Sequence, residues 1–165
     1  MSSASEKSSR GNAGQFRVAS ELCRRGMQAS ITLGNTPGVD VLCMSADGRK
    51  CVTIQVKTFR AGQNKCTVGE KAEVDRGDLF FWVLVGLKDD EHPNATERFY
   101  ILPSKDMARN VKDRHDRWLA TPGRNGQKHH ESRIRNVWMN NKGPAGRFDI
   151  SEYEDRWDYI EKALA

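Results

Sequence analysis

Three polar residues, Asp40, Gln55 and Lys57, have the types and spacing to form a reaction centre on a predicted β-hairpin. A turn at Asp47-Gly48 would bring Gln55 opposite Asp40, while Lys57, two residues further on, projects from the same strand face. Carboxylate and amide oxygens suit a hard cation such as Mg²⁺, and a nearby lysine can orient water or stabilise charge on a phosphate. These residue types favour metal-assisted chemistry on a phosphate ester. The alternative is that Asp40 caps a turn, with Gln55 and Lys57 solvated on an exposed sheet face.

The elements expected to position these residues begin with one amphipathic helix over residues 11–25, in which apolar side chains recur at helical spacing before Gly26. A helix over 104–120, with Ser104 as its N-cap, and a final helix after the capping-box pattern at 151–154 are also predicted. The strands are predicted at 29–33, 39–44, 51–59, 79–85, 98–102 and, as a short apolar island, 134–139. Trp82 and Trp157 are interpreted as core residues. This order predicts a single α/β domain built on a mixed central β-sheet flanked by helices.

The stretch Pro37-Gly38-Val39-Asp40, followed after fourteen residues by Gln55-Val56-Lys57, resembles the signature of the PD-(D/E)XK nuclease superfamily. That superfamily includes restriction endonucleases and archaeal Holliday-junction resolvases. The opening of the first helix at 11–15, the apolar strand at 78–87 and the segment 99–104 are similar to the smaller resolvase-like members, so the resemblance covers roughly residues 11–118. It implies a single restriction-endonuclease-like domain, to which this chain adds a basic C-terminal extension and a final helix.

The resemblance also implies roles for individual residues. Asp40 matches the metal-binding aspartate, Lys57 matches the lysine that positions the attacking water, and the carbonyl of Val56 would complete the shell of Mg²⁺ or Mn²⁺. Gln55 stands where Glu or Asp is usual, and Gln15 occupies the place of an expected acid on the first helix. The catalytic set is therefore Asp40, Gln55 and Lys57. Because a neutral amide binds Mg²⁺ more weakly than a carboxylate does, the metal is expected to bind weakly.

The charge of the chain favours a polyanionic partner. Its 27 Lys and Arg against 22 Asp and Glu give a net charge of +5, and residues 105–147 alone contribute eleven bases against four acids. The residues expected to contact nucleic acid, most naturally DNA, are Arg109, Lys112, Arg114, Arg117, Arg124, Lys128, Arg133 and Arg135. Trp118 and Trp138 lie among them. The alternative is a solvated helix face followed by a disordered loop.

Several other classes of protein are disfavoured. The longest apolar run, residues 79–87, is too short to cross a bilayer, and residues 1–10 lack the apolar segment of a secretory signal. The four cysteines have irregular spacing, which favours reduced thiols and a cytoplasmic location over zinc or disulfide sites. His129-His130 as a metal pair, and His115 as a general acid or base, are weaker candidates.

The expected organisation is a disordered lead-in at 1–9, a nuclease-like core at 10–120, and a basic loop region with a C-terminal helix packed on the same domain at 121–165. The leading hypothesis for function is a metal-dependent DNA endonuclease. The alternative is a catalytically degenerate nuclease fold that binds nucleic acid or a protein partner. Many relatives pair to cut both strands, so a homodimer is also compatible with the resemblance. The acidic final helix is expected to pack on the basic region of its own chain or of a partner subunit.

Overall fold

The computed structural model describes residues 4–33, 38–90, 92–140 and 150–165. Within these ranges there are three α-helices: α1 (Ala4–Arg24), α2 (Ser104–Ala120) and α3 (Asp158–Leu164). The strands of the same ranges are β1 (Gln28–Ile31), β2 (Val41–Met44), β3 (Cys51–Arg60), β4 (Lys65–Gly69), β5 (Phe80–Leu87), β6 (Arg98–Pro103) and β7 (Ile134–Trp138). Short 3-10 helices lie at Glu70–Glu73 and Ser151–Tyr153.

Five strands form the central sheet in the order β1-β2-β3-β5-β6. The pair β3 and β5 is parallel, whereas β1-β2, β2-β3 and β5-β6 are antiparallel, so the sheet is mixed, as the sequence predicts. Strand β5 is buried from Phe80 to Gly86, because both of its faces are covered. The fold is therefore an α/β domain in which helices flank a mixed sheet.

Each face of the sheet has its own hydrophobic core. On one face, α1 and α3 pack through Leu22, Trp157 and Ile160 against Ile54 and Val83. On the other face, α2 and a two-stranded β4–β7 ribbon cover Trp82, Leu84 and Leu102. Trp82 and Trp157 are both buried core residues, as expected. The final helix therefore packs beside α1 within its own chain, across the sheet from α2 and β7, so the expectation that it packs on the basic region is wrong.

The close packing of α1 on the sheet depends on Gly14. A Cβ atom at this position would overlap Thr58 Oγ1 and would lie 3.1 Å from Val85 Cγ1. Glycine thus lets the helix approach β3 and β5 directly. This contact fixes the position of the next residue, Gln15, above the end of β2.

Two features differ from the expectations for the chain ends. Helix α1 begins at Ala4, so residues 4–9 are exposed helical turns and not a disordered lead-in; Glu6 in the first turn is favourable for the helix dipole. The prediction of a capping box at 151–154 is wrong, because residues 151–153 form a 3-10 turn. Glu154 instead accepts two hydrogen bonds of 2.6 Å from the guanidinium of Arg98. The final helix starts later, at Asp158.

Two further differences concern α2 and β4. Ser104 does not cap its own helix; its Oγ accepts a hydrogen bond of 2.7 Å from the main-chain N–H of Arg76. Strand β4 is not predicted by the local pattern, because its partner β7 lies far along the chain, pairing Lys65 with Trp138. Pro37, the first residue of the nuclease-like signature, falls outside the described residues. No helix in the described ranges is long and apolar enough to span a membrane.

Candidate active site

The β2–β3 hairpin has the register that the sequence predicts. Val41 pairs with Ile54, and the main-chain N–H of Asp40 donates a 2.9 Å hydrogen bond to the carbonyl of Ile54. Beyond this pair, Asp40 therefore lies opposite Gln55. The predicted juxtaposition of these two side chains is confirmed.

The sheet opens at this point because β3 is longer than β2. Strand β2 pairs with β3 only as far as Ile54, whereas β3 continues to Arg60 along β5. The main-chain N–H of Val56, which has no β2 partner, donates a 2.7 Å hydrogen bond to Asp40 Oδ2. The carboxylate therefore takes the place of a strand neighbour at the end of the ladder.

Two glutamines complete the hydrogen bonds of Asp40. Gln55 Nε2 donates to Oδ2, and Gln15 Nε2, from α1, donates to Oδ1 over 3.2 Å. Three elements distant in sequence thus meet at one carboxylate. The position of Gln15 is the one at which the resemblance places the first-helix acid.

The environment shifts the acidity of Asp40. Burial raises the pKa of the Asp40 carboxyl above its ordinary value, and the N–H of Val56, the charge of Lys57 and the Gln55 amide partly oppose that rise. The desolvation cost exceeds the stabilisation from these neighbours. A cation that replaced the lost hydration would therefore be favourable here.

The cleft around Asp40 has a volume of about 270 Å³ and a basic wall. Besides Asp40, Gln15, Gln55 and Lys57, its lining includes Lys7 and Arg10 from the first turns of α1. The sequence analysis misses these two bases because it treats residues 1–9 as disordered and places the start of the first helix at residue 11, whereas α1 already includes both. The available signal was helical spacing, since Lys7, Gly11, Gln15, Val18 and Leu22 recur on one face.

A second cleft of about 560 Å³ adjoins the first, and Gln55 and Lys57 line both. It adds three further bases, Lys71, Arg76 and Arg133, with Trp82 also in its lining. Together the two clefts place six Lys or Arg around Asp40, while Glu70 is the other acid among the described lining residues. The result is a basic groove that crosses the Asp40 cluster.

Arg76 also holds the backbone that leads to Asp40. Its guanidinium Nη1 donates a 2.7 Å hydrogen bond to the carbonyl of Gly38, and its Cζ lies 4.0 Å from the centre of the Phe80 ring. Gly38 has a φ of +73°, and a Cβ there would lie 2.5 Å from Arg76 Nη1. The positive φ favours glycine at this position, and a Cβ there would displace the Arg76 guanidinium from its contact.

The predicted nucleic-acid residues divide into three groups. Arg133 is exposed and lines the second cleft. The other exposed bases, Arg109, Lys112, Arg117, Arg124 and Lys128, line neither cleft of the active site. Arg109 and Lys112 form ion pairs of 3.0 and 3.1 Å with acids of their own helix.

The remaining two, Arg114 and Arg135, are buried, which corrects their assignment as exposed phosphate contacts. Arg135 donates one hydrogen bond from Nε to Glu73 and another of 3.1 Å from Nη2 to Glu131 Oε1. Arg114 lies beside Trp138, and burial lowers the pKa of its guanidinium. Their side chains serve the packing of α2 against β7, because buried cations are stable only with such partners.

The structure offers oxygen ligands for a metal but few negative charges. The described residues contain no group of three or more His, Cys, Asp or Glu side chains able to hold an ion. At the Asp40 cluster, however, a carboxylate, the amide groups of Gln15 and Gln55 and the Val56 carbonyl supply the donor type that Mg²⁺ or Mn²⁺ prefers. The oxygen donors of these residues suit a hard cation, and the Asp40 carboxylate supplies the one formal negative charge among them.

The histidines form no comparable site. His115 Nε2 lies 2.7 Å from Glu131, and its ring stacks on Trp118. Trp118 also stacks on His129, with 4.1 Å between ring centres. In the described part of the chain these histidines are thus packing partners of a tryptophan, and the weak metal-pair hypothesis for His129-His130 gains no support.

Comparison with known proteins identifies similar folds but no family. No family model and no curated protein matches the chain. The chain is similar in structure to a bacterial homing endonuclease, I-Ssp6803I, at a TM-score of 0.54 and 15% identity, covering 99% of this chain and 95% of the other. Hjc, a Holliday junction resolvase from the archaeal hyperthermophile Archaeoglobus fulgidus, matches at a TM-score of 0.45 and 17% identity, covering 86% of this chain and 93% of that one. The first similarity shows that this chain shares the fold of that homing endonuclease.

Proposed function

We propose that this protein is a metal-dependent DNA endonuclease that hydrolyses phosphodiester bonds. The observation that carries the proposal is the convergence of Gln15, Asp40, Gln55 and Lys57 on one cleft. Positions 15, 40, 55 and 57 come from α1, the approach to β2 and β3, so their meeting requires the tertiary fold. The cluster forms at the position predicted from the hairpin, in a fold shared with a homing endonuclease. Both facts favour phosphodiester hydrolysis over the alternative in which these residues are solvated on an exposed sheet face.

The proposed metal would be Mg²⁺ or Mn²⁺, held by Asp40, by the Gln55 amide oxygen and by the Val56 carbonyl, with Gln15 as a fourth contributor. When bound, such an ion supplies Lewis-acid activation of the phosphate and a lower pKa for bound water. Lys57 lines the same cleft and its charge acts on Asp40. Its role is to hold the attacking water or a phosphate oxygen through its ammonium group.

DNA is the substrate that the surroundings favour. Six Lys or Arg line the two clefts that meet at Gln55 and Lys57, on both sides of the reaction centre. Bases on both sides suit a polymer that carries a phosphate on every residue and continues past the cut bond. A small phosphate ester would need only one of the two walls.

The second candidate keeps the fold and the DNA groove but has lost catalysis. One specific observation favours it: Asp40 is the single acid among the described residues lining its cleft, against Lys7, Arg10 and Lys57. Three cations and one anion attract a phosphate more readily than a divalent cation. Under this candidate the protein binds nucleic acid, or a protein partner, without cutting it.

One set of cleavage assays separates the two. Supercoiled plasmid, a four-way junction and single-stranded DNA are each incubated with Mg²⁺ or Mn²⁺ and with wild-type protein, Lys57→Ala or Lys50→Ala. Lys50 is an exposed lysine on the turn of the same hairpin and serves as the matched control. The endonuclease predicts metal-dependent cutting by wild type and Lys50→Ala, and a loss of at least about 100-fold in Lys57→Ala, typical of a lost general acid–base group.

Binding of the same substrates is measured in EDTA. Retained binding by Lys57→Ala assigns its defect to chemistry. Salt-sensitive binding by wild type with no cutting of any substrate would overturn the endonuclease in favour of the second candidate.

A further inference from the structure

The β4–β7 ribbon buries one of its faces and presents the other to solvent. Burial alternates along both strands, so that Cys66, Val68 and Val137 are buried in the core beneath the ribbon. The residues between them project from the opposite face, because successive side chains of a strand point to opposite sides. This outward face consists of three cross-strand pairs: Lys65 with Trp138, Thr67 with Asn136, and Gly69 with Ile134.

The outward face has the composition of a surface that meets a polyanion. Lys65 and Thr67 are exposed, Asn136 is half-exposed, and Ile134 keeps 59% of its surface accessible to solvent. None of the six residues of this face is acidic. A phosphate-bearing partner would therefore meet one cation and no opposing charge on the ribbon itself.

The central pair of this face holds an amide in a fixed orientation. Thr67 Oγ1 donates a 3.1 Å hydrogen bond to Asn136 Oδ1. The oxygen keeps a second lone pair, and Nδ2 has no hydrogen-bond partner in the described part of the chain. An asparagine that presents an acceptor and a donor side by side matches the N6 amino group and the N7 atom of adenine in the major groove.

The width of the ribbon also suits the major groove. Two paired strands lie about 5 Å apart, and the major groove of B-DNA, about 12 Å wide, admits a two-stranded ribbon. The minor groove is only about 6 Å wide and excludes it. The ribbon therefore has the dimensions for reading base edges from the major-groove side.

One end of the ribbon adjoins the candidate active site. Gly69 and Arg133, at this end, line the second cleft together with Lys57. The Arg133 side chain is 90% exposed and pairs with Glu70 only over 3.6 Å, so it is accessible to a phosphate. Asn136 belongs to the next outward pair, about 7 Å further along the strand. A duplex that lies in the basic groove would thus bring its bases to the ribbon close to the reaction centre.

We propose that the outward face of the β4–β7 ribbon enters the major groove of duplex DNA and that Asn136 reads an adenine there. The inference rests on the proposed function for the choice of DNA, but it requires no cleavage. The Asn136 amide donates from Nδ2 to adenine N7 and accepts from N6 through Oδ1, while Ile134 contacts the methyl group of a nearby thymine. Binding therefore depends on sequence at these positions, whereas Arg133 contacts phosphate whatever the sequence.

The test selects bound molecules from a library of random-sequence duplexes in EDTA, so that no DNA is cut. Sequencing of the bound fraction gives the base preference at each position. Wild type is expected to enrich A·T at one position, and Asn136→Ala is expected to lower the discrimination there about tenfold, as for one bidentate base contact. Arg133→Ala instead weakens binding to all sequences alike and lowers the salt slope by about 1.

Asn136→Asp is the sharper variant, because it keeps the size of the side chain and the bond from Thr67 but replaces the Nδ2 donor with an acceptor. We expect the preferred base to change from adenine to cytosine, whose N4 amino group donates to a carboxylate. Asn94→Asp, on an exposed turn, adds the same charge and should leave the preferred base unchanged. Partial unfolding would weaken binding to every sequence but would not exchange one preferred base for another.

A last arm replaces thymine by uracil in the selected sequence, which removes only the methyl group. We expect wild-type affinity to fall about fourfold, the effect of one buried methyl, and the affinity of Ile134→Ala to be insensitive to the change.

Sequence-independent binding by wild type, or a base preference retained in both Asn136→Ala and Asn136→Asp, would overturn the inference and leave the endonuclease standing. A base preference that Asn136→Asp changes, in a protein that cuts no substrate, would support the inference and overturn the endonuclease. The two proposals therefore fail separately.

Discussion

Gln15 Nε2 lies 3.2 Å from Asp40 Oδ1, which joins the first helix to the residue that precedes β2. Around this carboxylate stand two neutral amides and the cation of Lys57. The cluster thus has the oxygen atoms that a divalent cation needs but only one negative charge among its described side chains. The replacement of one amide by a carboxylate would change the charge and leave the geometry nearly intact.

Gln15→Glu is therefore expected to strengthen metal binding. A carboxylate at position 15 would add a charged ligand beside Asp40, and carboxylate count is a main determinant of affinity for hard cations. We expect the Mg²⁺ concentration for half-maximal cleavage to fall about tenfold, measured from initial rates in a metal titration. Gln63→Glu is the control, because Gln63 is exposed and lines neither cleft of the candidate active site. An unchanged metal dependence in Gln15→Glu would mean that α1 contributes no ligand.

The raised pKa of Asp40 predicts a cost in stability. Because burial raises this pKa in the folded protein, the folded state binds the Asp40 proton more tightly than the unfolded chain does. The stabilisation that Asp40 contributes is therefore fully present below pH 3.8, the ordinary pKa of its carboxyl. It is lost as the pH rises through the raised pKa that this carboxyl has in the folded state. Asp40→Asn removes the charge, so its melting temperature should exceed that of wild type at pH 7 in EDTA.

That gain should shrink as the pH falls through the raised pKa of folded Asp40 toward 3.8, because the wild-type carboxyl then becomes protonated and neutral. Thermal unfolding of both proteins between pH 4 and pH 8 measures the trend. A difference that is constant across this range would show that the charge of Asp40 is not its cause. Cleavage by Asp40→Asn should be lost at every pH, since the variant lacks the charged ligand.

Arg76 is expected to position Asp40 through its hydrogen bond to the Gly38 carbonyl and its stacking on Phe80. Arg76→Lys keeps the positive charge in the second cleft but loses the planar guanidinium that makes both contacts. We expect DNA affinity and its salt dependence to stay near wild type while kcat falls about tenfold, the scale on which small displacements of a reacting group act. A proportional loss of binding and kcat in Arg76→Lys would indicate a substrate contact and not a positioning role.

Local patterns could predict the hairpin because its register depends on one turn and on alternation within β3. Asp40 opposite Gln55, with Lys57 on the same face, follows from those alone. Strand β4 could not be predicted, since its hydrogen-bonding partner is β7: Cys66 pairs with Val137 and Val68 with Arg135, about seventy residues later. The assignment of Arg135 as a DNA contact was wrong for the same reason: its partner Glu73 comes from a distant turn. Charge composition identifies how many bases a segment has, but not which of them have acids as neighbours.

Arg135→Ala tests that correction directly. Its buried side chain joins Glu73 to Glu131, so its removal takes the guanidinium away from both carboxylates. We expect the free energy of unfolding to fall by about 2 kcal/mol in denaturant titrations, below the full value for a buried pair because Glu131 is exposed. Arg109→Ala, which removes an exposed ion pair with Asp106, should change stability by less than about 0.5 kcal/mol. Equal effects of the two variants would contradict the structural role of Arg135.

Lys7 and Arg10 are expected to contact the DNA backbone beside Asp40. Both lie on the first turns of α1, with Lys7 exposed and Arg10 half-buried, and both line the Asp40 cleft outside the two hydrophobic cores. Their replacement should therefore leave the cores intact. Each lost phosphate contact lowers the slope of log K against log salt by about 0.9, so the double variant Lys7→Ala/Arg10→Ala should lower it by about 2. Affinities are measured in EDTA between 50 and roughly 200 mM salt, the range in which phosphate contacts change affinity most.

The matched control for these two bases is Arg24→Ala, at the other end of the same helix. Arg24 is exposed, pairs with Glu21 at 3.5 Å and lines neither cleft of the candidate active site, so its loss should leave the salt slope unchanged. A double variant with the wild-type slope would remove the first turns of α1 from the DNA interface. A reduced slope with the wild-type melting temperature would show that the first turns of α1 bind substrate as part of a folded helix, although the composition of residues 1–9 resembles that of a disordered segment. The basic groove would then extend across both sides of Asp40, since Arg133 and Lys71 line its other side.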